Sequence, residues 1–123
     1  MGTMNTIEQA LNLRSLYHRI ISANLANAET PHYKEKEIDF QEELKKRVEA
    51  SSGAGHMKRQ FANTVDIKEK VETDSTLPNN GNTVDVEGQM VRMTENSSMY
   101  NALVSIMTKK FAMIRYAINE GRR

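Results

Sequence analysis

At 123 residues the chain has length for about one domain, and with 38% hydrophobic residues and no Trp it cannot build a large globular core. Seventeen Lys and Arg stand against sixteen Asp and Glu for a net charge of +1; both signs are mixed along the chain, so no basic face points to nucleic acid or an anionic membrane. The absence of cysteine excludes a disulfide framework and thiolate chemistry and is compatible with reducing or oxidising surroundings.

The first residues, MGTMNTIEQALNL, lack a basic stretch followed by an apolar run and a small-residue cleavage site, and nowhere do 18 apolar residues follow one another. Neither Sec targeting nor a membrane span is expected. From Ile7 to about Ala28 there is no Pro or Gly. Apolar residues recur at helical spacing in one row of Ala10, Leu13, Leu16 with Tyr17, Ile20 and Ala23, and a second of Ile7, Leu11, Ile21 and Leu25. This predicts an amphipathic helix within residues 1–30, ended by Pro31, which disfavours a helical Thr30.

Residues 31–50 read as an extended segment and a short helix from about Phe40 to Glu49. Glu35, Glu37, Asp39, Glu42 and Glu43 are interleaved with Lys34, Lys36, Lys45 and Lys46, the pattern of a solvated, salt-bridged face and not of an acid–base pair. Residues 51–83 change composition, opening with SSGAGH and approaching their end with PNNGN. They read as a variable insert, flexible or weakly β, with a short strand at Val65 and Ile67.

Residues 84–123 carry the clearest periodicity. Val86, Met90, Met93, Ser97, Tyr100, Val104, Met107, Phe111, Ile114 and Ile118 are separated by alternating steps of four and three, a repeat that makes a helix supercoil around a partner. Asp85 is placed as its N-cap, Glu87 and the late Lys109, Lys110 and Arg115 complement its dipole, and Gly121 supplies a stop. The expected fold is therefore mainly α: long N- and C-terminal helices form an antiparallel coiled-coil pair around the central insert. Leu13, Leu16 and Ile20 would meet the seam of the second helix. Part of that seam, with Leu103, Ile106 and Met113 beside it, would stay exposed in a monomer.

The segment Asn24-Leu25-Ala26-Asn27-Ala28-Glu29-Thr30-Pro31-His32-Tyr33 resembles the signature of the flagellar rod and hook axial proteins, roughly N-[IL]-A-N-x-x-T-P-G-Y. Leu13-Arg14-Ser15-Leu16, Ile38-Asp39-Phe40, the run from Asn79 to Glu87 and the run from Phe111 to Ile118 are similar to the proximal rod member of that family. The S-Y-E-A-N type of ending found in its siblings is absent. His32 departs from the family's usual Gly, which would permit positive φ, so the turn is expected to take a different backbone path.

The resemblance implies a structural subunit of the proximal rod of the flagellar basal body, exported unfolded by the flagellum-specific type III apparatus without a cleaved signal peptide. It implies terminal helices that order on assembly into a periplasm-spanning rod. The implied partners are other rod proteins of the FlgC-type and distal kinds, and inner-membrane ring and export-gate components. Asn24 and Asn27, at i,i+3 on one helical face, would then find hydrogen-bond partners on neighbouring chains and fix axial register, as a buried Asn does in a coiled coil. A soluble coiled-coil adaptor or export chaperone, binding a partner helix through its exposed seam, is the alternative. His18, His32 and His56 lie far apart without ligand spacing, so no metal, cofactor, catalytic group or direct lipid contact is expected.

Overall fold

The computed structural model describes residues 2–52, 65–71 and 81–121. Helix α1 spans Gly2–Ala26, strand β1 Lys36–Glu37, helix α2 Phe40–Ser52, strand β2 Lys68–Glu69 and helix α3 Val86–Glu120. The fold is mainly helical, with the long terminal helices packed together and a short antiparallel sheet between them in sequence. Most of the insert expected over 51–83 lies outside the described residues.

The helix pair is antiparallel. Asn24 bonds to Gln89, while Arg14, earlier on α1, bonds to Asn96, later on α3. At 1.5 Å per residue the start of the 25-residue α1 lies opposite about residue 108, and the 35-residue α3 runs roughly 18 Å beyond it. Ile7, Ala10, Leu13, Ile20 and Ile21 form the buried apolar stripe of α1, and Leu16 is half-buried beside it. Helix α2 covers another side of α1, with the Arg14 guanidinium 3.6 Å above the Phe40 ring and Ala50 buried near its end.

Helix α3 starts as its first residues dictate. Asp85 has extended backbone, and its Oδ1 accepts from the Gly88 N–H at 3.2 Å, closing an orphan donor of the first turn. At the other end the Gly121 N–H donates to Ala117 O in a right-handed conformation, so the helix stops without a left-handed glycine turn.

Which face of α3 meets α1 differs from the heptad expectation. Gln89 and Asn96 are buried, and Met93, Leu103, Met107, Lys110 and Ile114 are half-buried. Of the expected seam, Met93, Met107 and Ile114 lie on this face, with Tyr100 at its margin; Val86, Met90, Ser97, Val104, Phe111 and Ile118 are exposed. Leu103, expected to be exposed, is partly covered. The rows 89, 93, 96, 100 and 90, 93, 97, 100 share every second member, so heptad spacing alone does not choose between them. The hydrogen bonds of Gln89 and Asn96 to α1 do.

The short strand also shifts. Val65 and Ile67 precede β2, whose Glu69 and Lys68 face Lys36 and Glu37 of β1. Opposite charges across the pair favour this register.

His32 takes φ +63, so the left-handed path is kept without glycine, contrary to the expectation of a different route. Gly81, at φ +79, lies directly against it: a Cβ on Gly81 would stand 2.6 Å from His32 Nδ1. We predict that Gly81→Ala lowers stability by about 1–2 kcal/mol through backbone strain and this clash. His32→Gly should hold or raise stability, by at most about 1 kcal/mol, because it relieves a left-handed L-residue. Thermal unfolding followed by circular dichroism checks both, and an unaffected Gly81→Ala would show that the turn is looser than described.

Candidate functional site

The chain departs from the helix pair at the end of α1, and the polar residues of the axial motif converge there. After Ala26, Asn27 N–H bonds back to Ala23 O, Thr30 N–H to Asn27 O and Tyr33 N–H to Thr30 O. Pro31 stands exposed at the crest of these turns and Leu25 is half-buried below them. This brings β1 back beside the last turn of α1.

Asn24 is fully buried, and all four of its hydrogen-bonding positions are occupied within the chain. Its Nδ2 donates to Lys36 O at 2.9 Å and to Gln89 Oε1 at 3.1 Å; its Oδ1 accepts from the Lys36 N–H at 2.9 Å and from the Tyr33 hydroxyl at 3.2 Å. One carboxamide therefore holds α1, β1 and α3 together. Burial raises the Tyr33 phenol above its ordinary pKa, with Glu69 adding to the effect, so it remains a donor at neutral pH.

Asn27 closes the neighbouring turn. Its Nδ2 donates to Ala23 O at 2.8 Å, and its Oδ1 accepts from the Thr30 hydroxyl at 3.0 Å. Asn82 then spans the turn, its Nδ2 donating to both Asn27 O and Thr30 O at 2.8 Å. Asn24, with its four positions filled within the chain, has no bond left for the neighbouring chains expected to partner it. The reversal through Pro31 brings Tyr33 and Lys36 back to Asn24, while the Asn27 side chain makes its two bonds to Ala23 and Thr30, within its own turn.

The acidic run is corrected too. Glu35 and Glu43 are buried, not solvated. Glu35 Oε1 accepts from Gln89 Nε2 at 2.6 Å and from the Asp85 N–H at 3.2 Å, so it fastens the start of α3. Lys70 Nζ lies 3.7 Å from Oε2 and Arg92 Nη1 3.9 Å from Oε1. Both cations are close enough to compensate a charge that would otherwise be costly to bury, although Oε2 itself accepts no hydrogen bond. The Glu35 backbone is held on both sides, its N–H by the Thr83 hydroxyl and its carbonyl by the Lys70 N–H. Glu43 accepts from the Asp66 N–H at 3.3 Å and pairs with Lys46 at 3.0 Å, tying the segment before β2 to α2.

A second polar contact lies one heptad farther along α3. Asn96 donates to Arg14 O at 2.9 Å and accepts from Arg14 Nη1 at 3.2 Å. Gln89 and Asn96, missed by the search for apolar seam positions, carry a legible signal: carboxamides exactly one heptad apart. Glu35 carries none, since nothing in a mixed Lys/Glu run marks the one acid that a strand will turn inward.

The arrangement is that of a structural subunit: two terminal helices locked by buried amides at one end, and an apolar row left outside. Relatives make the class specific. The flagellar basal body rod protein FlgB of Bacillus subtilis is 32% identical over 125 residues, covering 98% of this chain and 96% of that protein. FlgB of Salmonella typhimurium is 33% identical over 113 residues, 81% of this chain and 80% of its own, and FlgB of Escherichia coli K12 is 28% identical over 127, 93% and 91%. No family model matches the chain. The chain belongs to the FlgB family of flagellar basal body rod proteins, and its function is that of a structural rod subunit. The relatives lend no support to the adaptor or chaperone alternative.

Asn24→Leu would strand the Lys36 backbone groups and the Gln89 carbonyl. We predict a loss of roughly 2–5 kcal/mol in the isolated protein, from unsatisfied buried groups at about 1–3 kcal/mol each, measured by urea unfolding. An unchanged unfolding midpoint would mean that these bonds do not hold the joint.

Proposed function

We propose that this rod subunit occupies the proximal part of the rod and assembles with its neighbours through the outward row of α3. The carrying observation is the row Val86, Met90, Val104, Phe111 and Ile118, apolar at heptad spacing and exposed in the single chain; Phe111 is 56% exposed. Beyond the reach of α1, Met113 and Tyr116 add to the same bare end. An apolar surface of this extent is stabilised when another subunit covers it.

Two rows of one helix then serve two partners. Gln89, Asn96 and Leu103 face α1 of the same chain, the outward row faces a neighbour, and Met93, Tyr100, Met107 and Ile114 stand between the two. Methionine at the shared positions adapts its shape to both. The axial-motif residues Asn24, Leu25, Asn27, Thr30, Pro31 and Tyr33 serve assembly indirectly, by setting the angle and register at which α3 is presented.

On this reading the neighbours are other rod proteins, of the FlgC-type and distal kinds, with inner-membrane ring and export-gate components at the base. The chain reaches the periplasm-spanning rod by type III export, without a cleaved signal peptide. Its role is structural and not enzymatic: the buried acids Glu35 and Glu43 are engaged in holding backbone and amide groups.

Phe111→Asp tests the reading. The substitution lies on an exposed site, so the purified chain should keep its stability to within about 0.5 kcal/mol. Basal bodies from the parent bacterium should show rings without a rod, and cells should not swim, because assembly would bury an unpaired charge. Complete rods carrying this variant would show that the outward row is not the contact.

A further inference from the structure

Midway along the helix pair the outward row is interrupted. Ser97 stands between Met90 and Val104, where the heptad would otherwise place an apolar residue. Beside it a groove of about 310 Å3 opens between the helices, lined by Arg14, Ser15 and His18 of α1 and by Ser97, Tyr100 and Asn101 of α3, with Asn96 at its floor. Among the described residues no carboxylate lines it.

Arg14 is the unusual member. It is half-buried, donates from Nη1 to the neutral Asn96 side chain, stacks on Phe40, and has its Nε buried without an acceptor. Among the described residues no carboxylate pairs with it. Burial lowers its pKa from the ordinary value, with Tyr17 opposing the shift. Phe40 offsets part of that cost through its ring face, but a guanidinium is best stabilised by a carboxylate, which accepts charge-assisted bonds from its planar fork.

We propose that the groove receives the carboxylate of an Asp or Glu on a helix of a neighbouring axial subunit, laid along the outward row of α3. The inference rests on the packing role proposed for that row. Arg14 supplies the charge, and His18, Ser15, Ser97 and Asn101 supply hydrogen-bonding groups around it. Met90 and Val104 lie seven residues to either side, roughly 10 Å. The helix that fits therefore carries apolar side chains one heptad before and after its acid. A slip of one heptad would set the acid against Met90 or Val104 and leave its charge buried and unpaired. The groove thereby selects one axial setting between subunits.

The test is the double variant His18→Glu with Asn101→Asp, expressed in the parent bacterium in place of the native chain. Both sites are exposed, so the purified variant should melt within about 3 °C of the native chain. The expected result is loss of complete rods and a swimming halo no larger than that of the deletion. A normal halo from the acidic variant overturns the proposal. Should the acidic variant lose thermal stability, a benzoylphenylalanine crosslinker at Ser97 in assembled rods decides instead. The adduct should be a peptide of another subunit with Asp or Glu within one helical turn of the attachment; an adduct lacking such an acid, or only an intrachain one, overturns the proposal. Normal rods with the acidic variant while Phe111→Asp blocks assembly would refute the groove alone. Normal rods with both would refute the packing reading as well.

Discussion

The fold depends on the closed hydrogen-bond set of Asn24. It sits at the last turn of α1, where backbone groups run out of helical partners, and joins that turn to β1 through both backbone groups of Lys36 and to α3 through Gln89. Each bond contributes only about 0.5–1.5 kcal/mol net. The stronger constraint is negative: any other setting of α3 on α1 leaves buried amides unpaired. Gln89 passes the constraint on to Glu35, and Glu35 to the first residue before α3, so the register of a 35-residue helix is decided within its first turn.

That joint explains an inversion on α3. Amphipathic helices usually bury their apolar row and expose their amides, yet here Gln89 and Asn96 face inward and Met90, Val104 and Phe111 face out. The two rows answer different needs. Contact within the chain requires one register, which directional bonds specify well. Contact with other chains in a rod requires area, which apolar side chains supply without strict direction. A short chain with two unequal helices buries too little surface to satisfy both from its own residues.

The turn beyond Asn27 is built with similar economy. Asn82 bridges two carbonyls of the turn, and His32 and Gly81, both left-handed, rest against each other so that the 81–84 segment can lie along Tyr33 and Glu35. The strand pair then covers the buried acid. With a bulkier residue at 81, the approach that lets Thr83 reach the Glu35 N–H would be pushed apart.

Much was legible in the residues alone. The two long helices, their antiparallel pairing, the Asp85 cap and the stop before Pro31 follow from local physics: periodicity, capping chemistry and the steric reach of proline. The motif from Asn24 to Tyr33 identified the family because its polar residues and its turn are consecutive in the chain. Tertiary structure alone decided which heptad row faces inward, since two overlapping rows satisfy the same spacing and only bonds between residues 65 and 82 apart in sequence separate them. It alone decided that Asn24 is satisfied within the chain and that Glu35 is buried. Both outcomes depend on a strand returning beside α1, and long-range hydrogen bonds leave no periodic trace in the sequence that makes them.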